Sequence, residues 1–77
     1  MSKKIYVGNL PPTATRSQVK NLFDAYGAVS DVTLNQDGTA LVVMANDTEG
    51  DAALSGLRNA TMDTHSLNVN EARPRTL

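Results

Sequence analysis

Val32-Thr33-Leu34-Asn35-Gln36-Asp37-Gly38-Thr39-Ala40-Leu41-Val42-Val43-Met44 sets two β-prone runs on either side of an Asp-Gly pair. The parity of the loop decides which side chains share a face, because directly opposed residues of an antiparallel pair point the same way. A two-residue loop at Asp37-Gly38 pairs Leu34 with Leu41 and Val32 with Val43. A three-residue loop pairs Asn35 with Thr39, Leu34 with Ala40 and Val32 with Val42. The second register gathers small and branched side chains on one side. It also suits a type I turn followed by Gly38 in the left-handed conformation, which makes a bulged hairpin. The three-residue loop is therefore expected, with Ala40, Val42 and Met44 toward a core. Thr39, Leu41 and Val43 then lie on the other face, beside Thr33 and Asp31.

Upstream of the hairpin, Ile5-Tyr6-Val7 is a short strand-like run, closed by Gly8-Asn9-Leu10-Pro11-Pro12, whose prolines mark a loop. Thr15 opens a helix with Gln18 at capping-box spacing. Val19, Leu22, Phe23 and Tyr26 form one apolar face at i, i+3, i+4 and i+7, and Gly27 is placed to stop the helix. Downstream, Asp47 or Thr48 caps a second helix in which Gly50, Ala53, Leu54 and Leu57 repeat that spacing. Gly50 and Gly56 each cost about 1 kcal/mol against alanine in a helix interior, so this helix depends on packing. Leu67 and Val69 alternate with Ser66, Asn68 and Asn70 as a fourth strand that Pro74 ends. The order β-α-β-β-α-β predicts an α+β, ferredoxin-like split βαβ sandwich, with a four-stranded antiparallel sheet and both helices on one face. The other face is open and carries Tyr6, Thr39, Leu41 and Val43, a natural binding surface.

The chain has 77 residues, so residues 1–77 are read as one domain with its core at about 3–75. A domain this small buries only about 60% of the surface its unfolded chain exposes. With no Cys, disulfides, thiolate metal sites and Cys nucleophiles are ruled out. His65 is the only His and has no ligand cluster around it in sequence, so no metal site is expected. No Ser/His/Asp or paired-carboxylate spacing supports catalysis, and the expectation is a non-enzyme without a cofactor. No apolar run approaches the roughly 20 residues that span a membrane, and Met1-Ser2-Lys3-Lys4 leads into a strand rather than a signal segment. A soluble monomer in the cytoplasm is expected, with the nucleus as the alternative compartment. Seven basic and eight acidic residues leave a net charge of −1, unusual beside the basic surfaces of many nucleic-acid binders.

Ile5-Tyr6-Val7-Gly8-Asn9-Leu10 resembles the hexamer motif of the RNA recognition motif family at all six positions. Leu22-Phe23-Asp24-Ala25-Tyr26-Gly27-Ala28-Val29 is similar to the family's first helix and its exit. Leu67-Asn68-Val69-Asn70-Glu71-Ala72-Arg73-Pro74-Arg75 is similar to its last strand and tail. The family's octamer falls on Asp37-Gly38-Thr39-Ala40-Leu41-Val42-Val43-Met44. Gly38, Ala40 and Val42 match there, whereas the basic position is acidic and all three aromatic positions are lost.

The resemblance implies a module for single-stranded RNA on the open sheet, with Tyr6 as the surviving stacking residue. Thr39 and Leu41 stand where stacking aromatics belong, which implies weak binding of low sequence selectivity. Lys3, Lys4, Arg73 and Arg75 flank the first and last strands as a small phosphate-contacting rim. Asn68 and Asn70 face the open side, where they either bond to base edges or keep an edge strand polar. The competing expectation is a protein-protein interaction domain that uses Leu41 and Val43 on the same face.

Overall fold

In the computed structural model, which describes residues 3–35, 37–62 and 64–72, the hairpin closes as expected. The backbone N–H of Asn35 donates to the Thr39 carbonyl at 2.8 Å. Val32 faces Val42, Leu34 faces Ala40, Thr33 faces Leu41 and Asp31 faces Val43. Gly38 takes φ +82°, the left-handed conformation that the bulged turn requires. The loop is also tied down from outside, since the Leu10 N–H donates to the Gly38 carbonyl at 2.9 Å.

The elements in chain order are β1 (Lys3–Gly8), α1 (Arg16–Asp24), β2 (Val29–Leu34), β3 (Ala40–Met44), α2 (Asp47–Gly56), β4 (Thr61–Met62), β5 (His65–Ser66) and β6 (Asn68–Glu71). The main sheet runs β2-β3-β1-β6, with every pair antiparallel. β1 is central, and Ile5 and Val7 on its covered side are completely buried. Phe23 and Val19 of α1, Ala53 of α2, and Ala40, Val42 and Met44 of β3 complete the fully buried layer. Leu67 and Val69 are buried at the fourth main strand, as their alternation predicts.

Helix α1 starts on the expected capping box. Thr15 Oγ1 accepts from the Gln18 N–H at 3.2 Å, and Gln18 Oε1 accepts from the Thr15 N–H at 3.0 Å. Helix α2 corrects the expectation of an Asp47 or Thr48 cap. Asn46 is the cap, its side chain accepting from the Glu49 N–H at 2.8 Å, and Asp47 is already helical. Asp47 and Glu49 in the first turn suit the positive end of the helix dipole. Glu49 also reaches across the fold, accepting from the Ala28 N–H at 3.2 Å and from Asn46 Nδ2 at 3.0 Å. This ties the start of α2 to the segment after α1.

The two helix glycines that weaken α2 locally are both sites of close approach. Gly56 lies against the ring of Tyr26, and Gly50 lies under the stem of Lys3. Propensity alone favours alanine at Gly50 by about 1 kcal/mol. Its methyl group, however, would sit 2.5 Å from both Cβ and Cγ of Lys3, atoms held close to the β1 backbone. Overpacking of this kind costs about 1–3 kcal/mol. Gly50→Ala is therefore expected to lower the urea midpoint with an unchanged slope, and a raised midpoint would show that β1 yields freely.

The β4–β5 ribbon was not anticipated. Its two-residue strands are too short to show alternation in sequence. It is stabilised by Leu67 N–H donating to the Ala60 carbonyl at 2.9 Å and by Asn9 Nδ2 donating to the Ser66 carbonyl at 2.8 Å.

Candidate nucleic-acid interface

The strand registers lay the open face out in rows across β2, β3, β1 and β6. Thr33, Leu41, Tyr6 and Asn70 form the middle row. Asp31, Val43 and Lys4 form the next, which continues to Ala72, whose N–H donates to the Lys4 carbonyl at 2.9 Å. On the other side Gly8 pairs with Asn68, and Thr39, next to Ala40 opposite Val7, flanks Gly8 from β3. The structure thus brings together Tyr6, Thr39, Leu41, Lys4, Asn68 and Asn70. Arg73 and Arg75 lie outside the described residues.

Tyr6 is 41% exposed, the one large apolar side chain so open among the described residues. The far end of its ring leans toward Gly8, which has no side chain to press on it. A Cβ on Gly8 would stand 3.2 Å from Tyr6 Cε1 and 3.4 Å from the phenol oxygen. Sequence reasoning did not give Gly8 a role at the site. The signal was present, since Gly8 follows Tyr6 at the i+2 spacing that shares a face. Leu41 and Val43 beside Tyr6 are half-buried.

The polar groups of this face divide in two. On the β2–β3 side Thr39 and Asp31 are engaged: Thr39 Oγ1 accepts from Asn35 Nδ2 at 3.0 Å and donates to Asp37 Oδ1 at 2.5 Å. Asp31 faces the Arg16 guanidinium at 3.6 Å, while Arg16 Nε donates to the Val32 carbonyl at 2.8 Å. On the β1–β6 side the exposed amides of Asn68 and Asn70 have no hydrogen-bond partner among the described residues, and exposed Lys4 makes no ion pair there.

Lys3 does not belong to the phosphate rim. Strand alternation turns it to the helix side with Ile5 and Val7, where its Nζ lies 2.9 Å from Asp51 and 3.5 Å from Glu71. The hydrogen bond to Asp51 leads the causes that raise its pKa above the ordinary 10.5. What this contact adds to stability is complete below pH 10.5 and is lost as pH climbs through the raised value.

An antiparallel sheet covered by helices on one side, with an exposed ring and two exposed amides on the other, defines a small α+β domain with one uncovered sheet face. The chain belongs to the RNA recognition motif family, whose model matches residues 5–68. It is 40% identical to RbpF of Nostoc sp., over 92% of this chain and 74% of that protein. It is 41% identical to RbpD of the same organism, over 92% of this chain and 83% of that protein. Among solved structures it is similar to the RNA binding protein PG1, with TM-score 0.88 and 27% identity over 97% of this chain and 99% of that one.

Proposed function

We propose that this chain is an RNA-binding module that takes single-stranded RNA on its open sheet face, weakly and with low sequence selectivity. The exposed Tyr6 ring, beside Gly8 and across from the exposed Asn70, is the observation that carries this reading. A flat ring stacks any base, and one stacked base is worth about 1–3 kcal/mol. The family and the similarity to PG1, an RNA-binding protein, support the ligand class. Weakness follows from a single exposed aromatic and a nearly neutral face. A protein partner is less well served, since Leu41 and Val43 are half-buried and offer little apolar area. The chain acts by binding rather than by catalysis.

Tyr6→Ala tests the platform. Titration with short single-stranded RNA is expected to show affinity reduced by about 1–3 kcal/mol, with little change in the folding midpoint. Unchanged affinity would remove Tyr6 from the site.

Ionic strength tests the rim. With Lys4, Arg73 and Arg75 as its members, two or three phosphates are contacted at about −0.7 each, so log K should fall against log salt with a slope of about −1.5 to −2. A slope of about −5 or steeper would mean that the main basic surface lies elsewhere.

A further inference from the structure

We infer that Arg16 is a phosphate contact at the β2 edge of the open face, and that Asp31 is the carboxylate RNA must displace to reach it. This rests on the open-sheet RNA reading above and deepens it by adding a contact on the side opposite Lys4 and naming the group that holds its affinity down. The phase of the β2–β3 ladder sets the geometry. The Asn35 N–H donates to the Thr39 carbonyl. The backbone groups of Asn35, and by alternation those of Thr33 and Asp31, therefore face β3, while those of Val32 and Leu34 point outward from the free edge of the sheet. Arg16 opens α1 on the covered side. Its side chain reaches that edge, where Nε donates to the Val32 carbonyl at 2.8 Å. From there Nη2 lies 3.6 Å from Asp31 Oδ1. Asp31 stands on the open face, in the row of Val43 and Lys4. A residue of the helix layer thus carries its charge around the edge strand to the RNA side. Two strand spacings, about 10 Å, separate β2 from the strand that bears Tyr6.

The pair with Asp31 is of the kind a phosphate can replace. The two side chains are 59% and 63% exposed, and ion pairs so open to water are weak. A guanidinium binds two phosphate oxygens through its parallel N–H groups, and the Nε bond to Val32 holds the fork at the rim. Lys3 offers a contrast, since its Nζ is 15% exposed and held between Asp51 and Glu71 on the covered side. The carboxylate also hides Arg16 from the salt dependence. A phosphate that takes the guanidinium leaves Asp31 to gather a cation from solution, so little net counterion is released. Without that carboxylate, Arg16 becomes one full additional phosphate contact.

The test titrates the wild type, Asp31→Asn, the Arg16→Gln/Asp31→Asn double variant, Asp47→Asn and Tyr6→Ala with one single-stranded oligouridylate over a series of salt concentrations. Asp31→Asn should bind roughly two- to fivefold more tightly than the wild type, the factor by which an exposed pair holds its cation. Its slope of log K against log salt should be steeper by about 0.7, one phosphate on a single strand. The double variant should lose both changes. Asp47→Asn makes the same change of net charge in the first turn of α2, on the covered side, and should stay at the wild-type affinity. The expected effect is a gain, which a misfolded variant does not imitate. An Asp31→Asn affinity no higher than wild type, an equal gain in Asp47→Asn, or a gain that survives without Arg16 would overturn the inference while leaving the open-sheet reading in place. Binding by none of the proteins, or binding that Tyr6→Ala leaves untouched, would overturn both.

Discussion

Phe23→Ala is expected to destabilise the domain by about 3–5 kcal/mol, the range for truncating a fully buried aromatic. Phe23 is 0% exposed and heads the fully buried side chains, set on α1 in the core cluster that also holds Ile5, Val7 and Val42. Native domains hold only about 5–15 kcal/mol in all, and a chain this short has few other contacts to spread the loss. Chemical denaturation followed by circular dichroism should give a much lower midpoint or a chain unfolded without denaturant. The effect is set against Tyr6, the aromatic that is exposed on the opposite face. A Phe23→Ala protein with the wild-type midpoint, beside an unfolded Tyr6→Ala, would mean that the two faces are inverted.

The second large effect is a gain. Thr39→Phe with Leu41→Phe should tighten RNA binding by about tenfold or more, because each added stacking surface is worth about 1–3 kcal/mol. Leu41 is the direct cross-strand neighbour of Tyr6, so a ring there extends the existing platform. Leu41 already offers apolar contact, which puts the combined gain in the lower half of about 2–6 kcal/mol. The change at Thr39 removes the hydroxyl shared between Asn35 and Asp37. Net losses of about 0.5–1.5 kcal/mol per hydrogen bond apply, so a small fall in stability should accompany the tighter binding. Neither residue is in the buried core, and aromatics suit strands. Titration of wild type and double variant at one salt concentration decides it. A folded, monomeric double variant with unchanged affinity would show that RNA does not use this face.

Much of this surface is legible in the sequence because side-chain direction is local. Alternation across Val32–Met44 and the three-residue loop place Leu41 and Val43 opposite the core before any tertiary contact is known. The same rule put Lys3 with Ile5 and Val7. Nearness to a strand end does not decide the side, and parity takes Lys3 away from the rim. The cap of α2 is a different kind of error. Asn46, Asp47 and Thr48 are all competent caps, and propensity does not separate them. Glu49, engaged with both Asn46 and Ala28, ties the helix start to the exit of α1 and makes Asn46 the cap.

By itself the sequence determined the order of the two helices and the four strands of the main sheet, the Thr15–Gln18 cap, the hairpin register and the face on which Tyr6 stands, since each depends on spacing within one short segment. Tertiary structure alone decided three things. Gly50 and Gly56 are tolerated in α2 because Lys3 and the Tyr26 ring occupy the space beside them. The β2–β3 loop is pinned because Leu10 reaches its Gly38 carbonyl. Asn70 stands beside Tyr6 because β6, more than sixty residues away in sequence, pairs with β1. Local spacing carries no information about which distant strand closes the sheet, and that pairing is what brings a lone tyrosine and two edge asparagines together on one face.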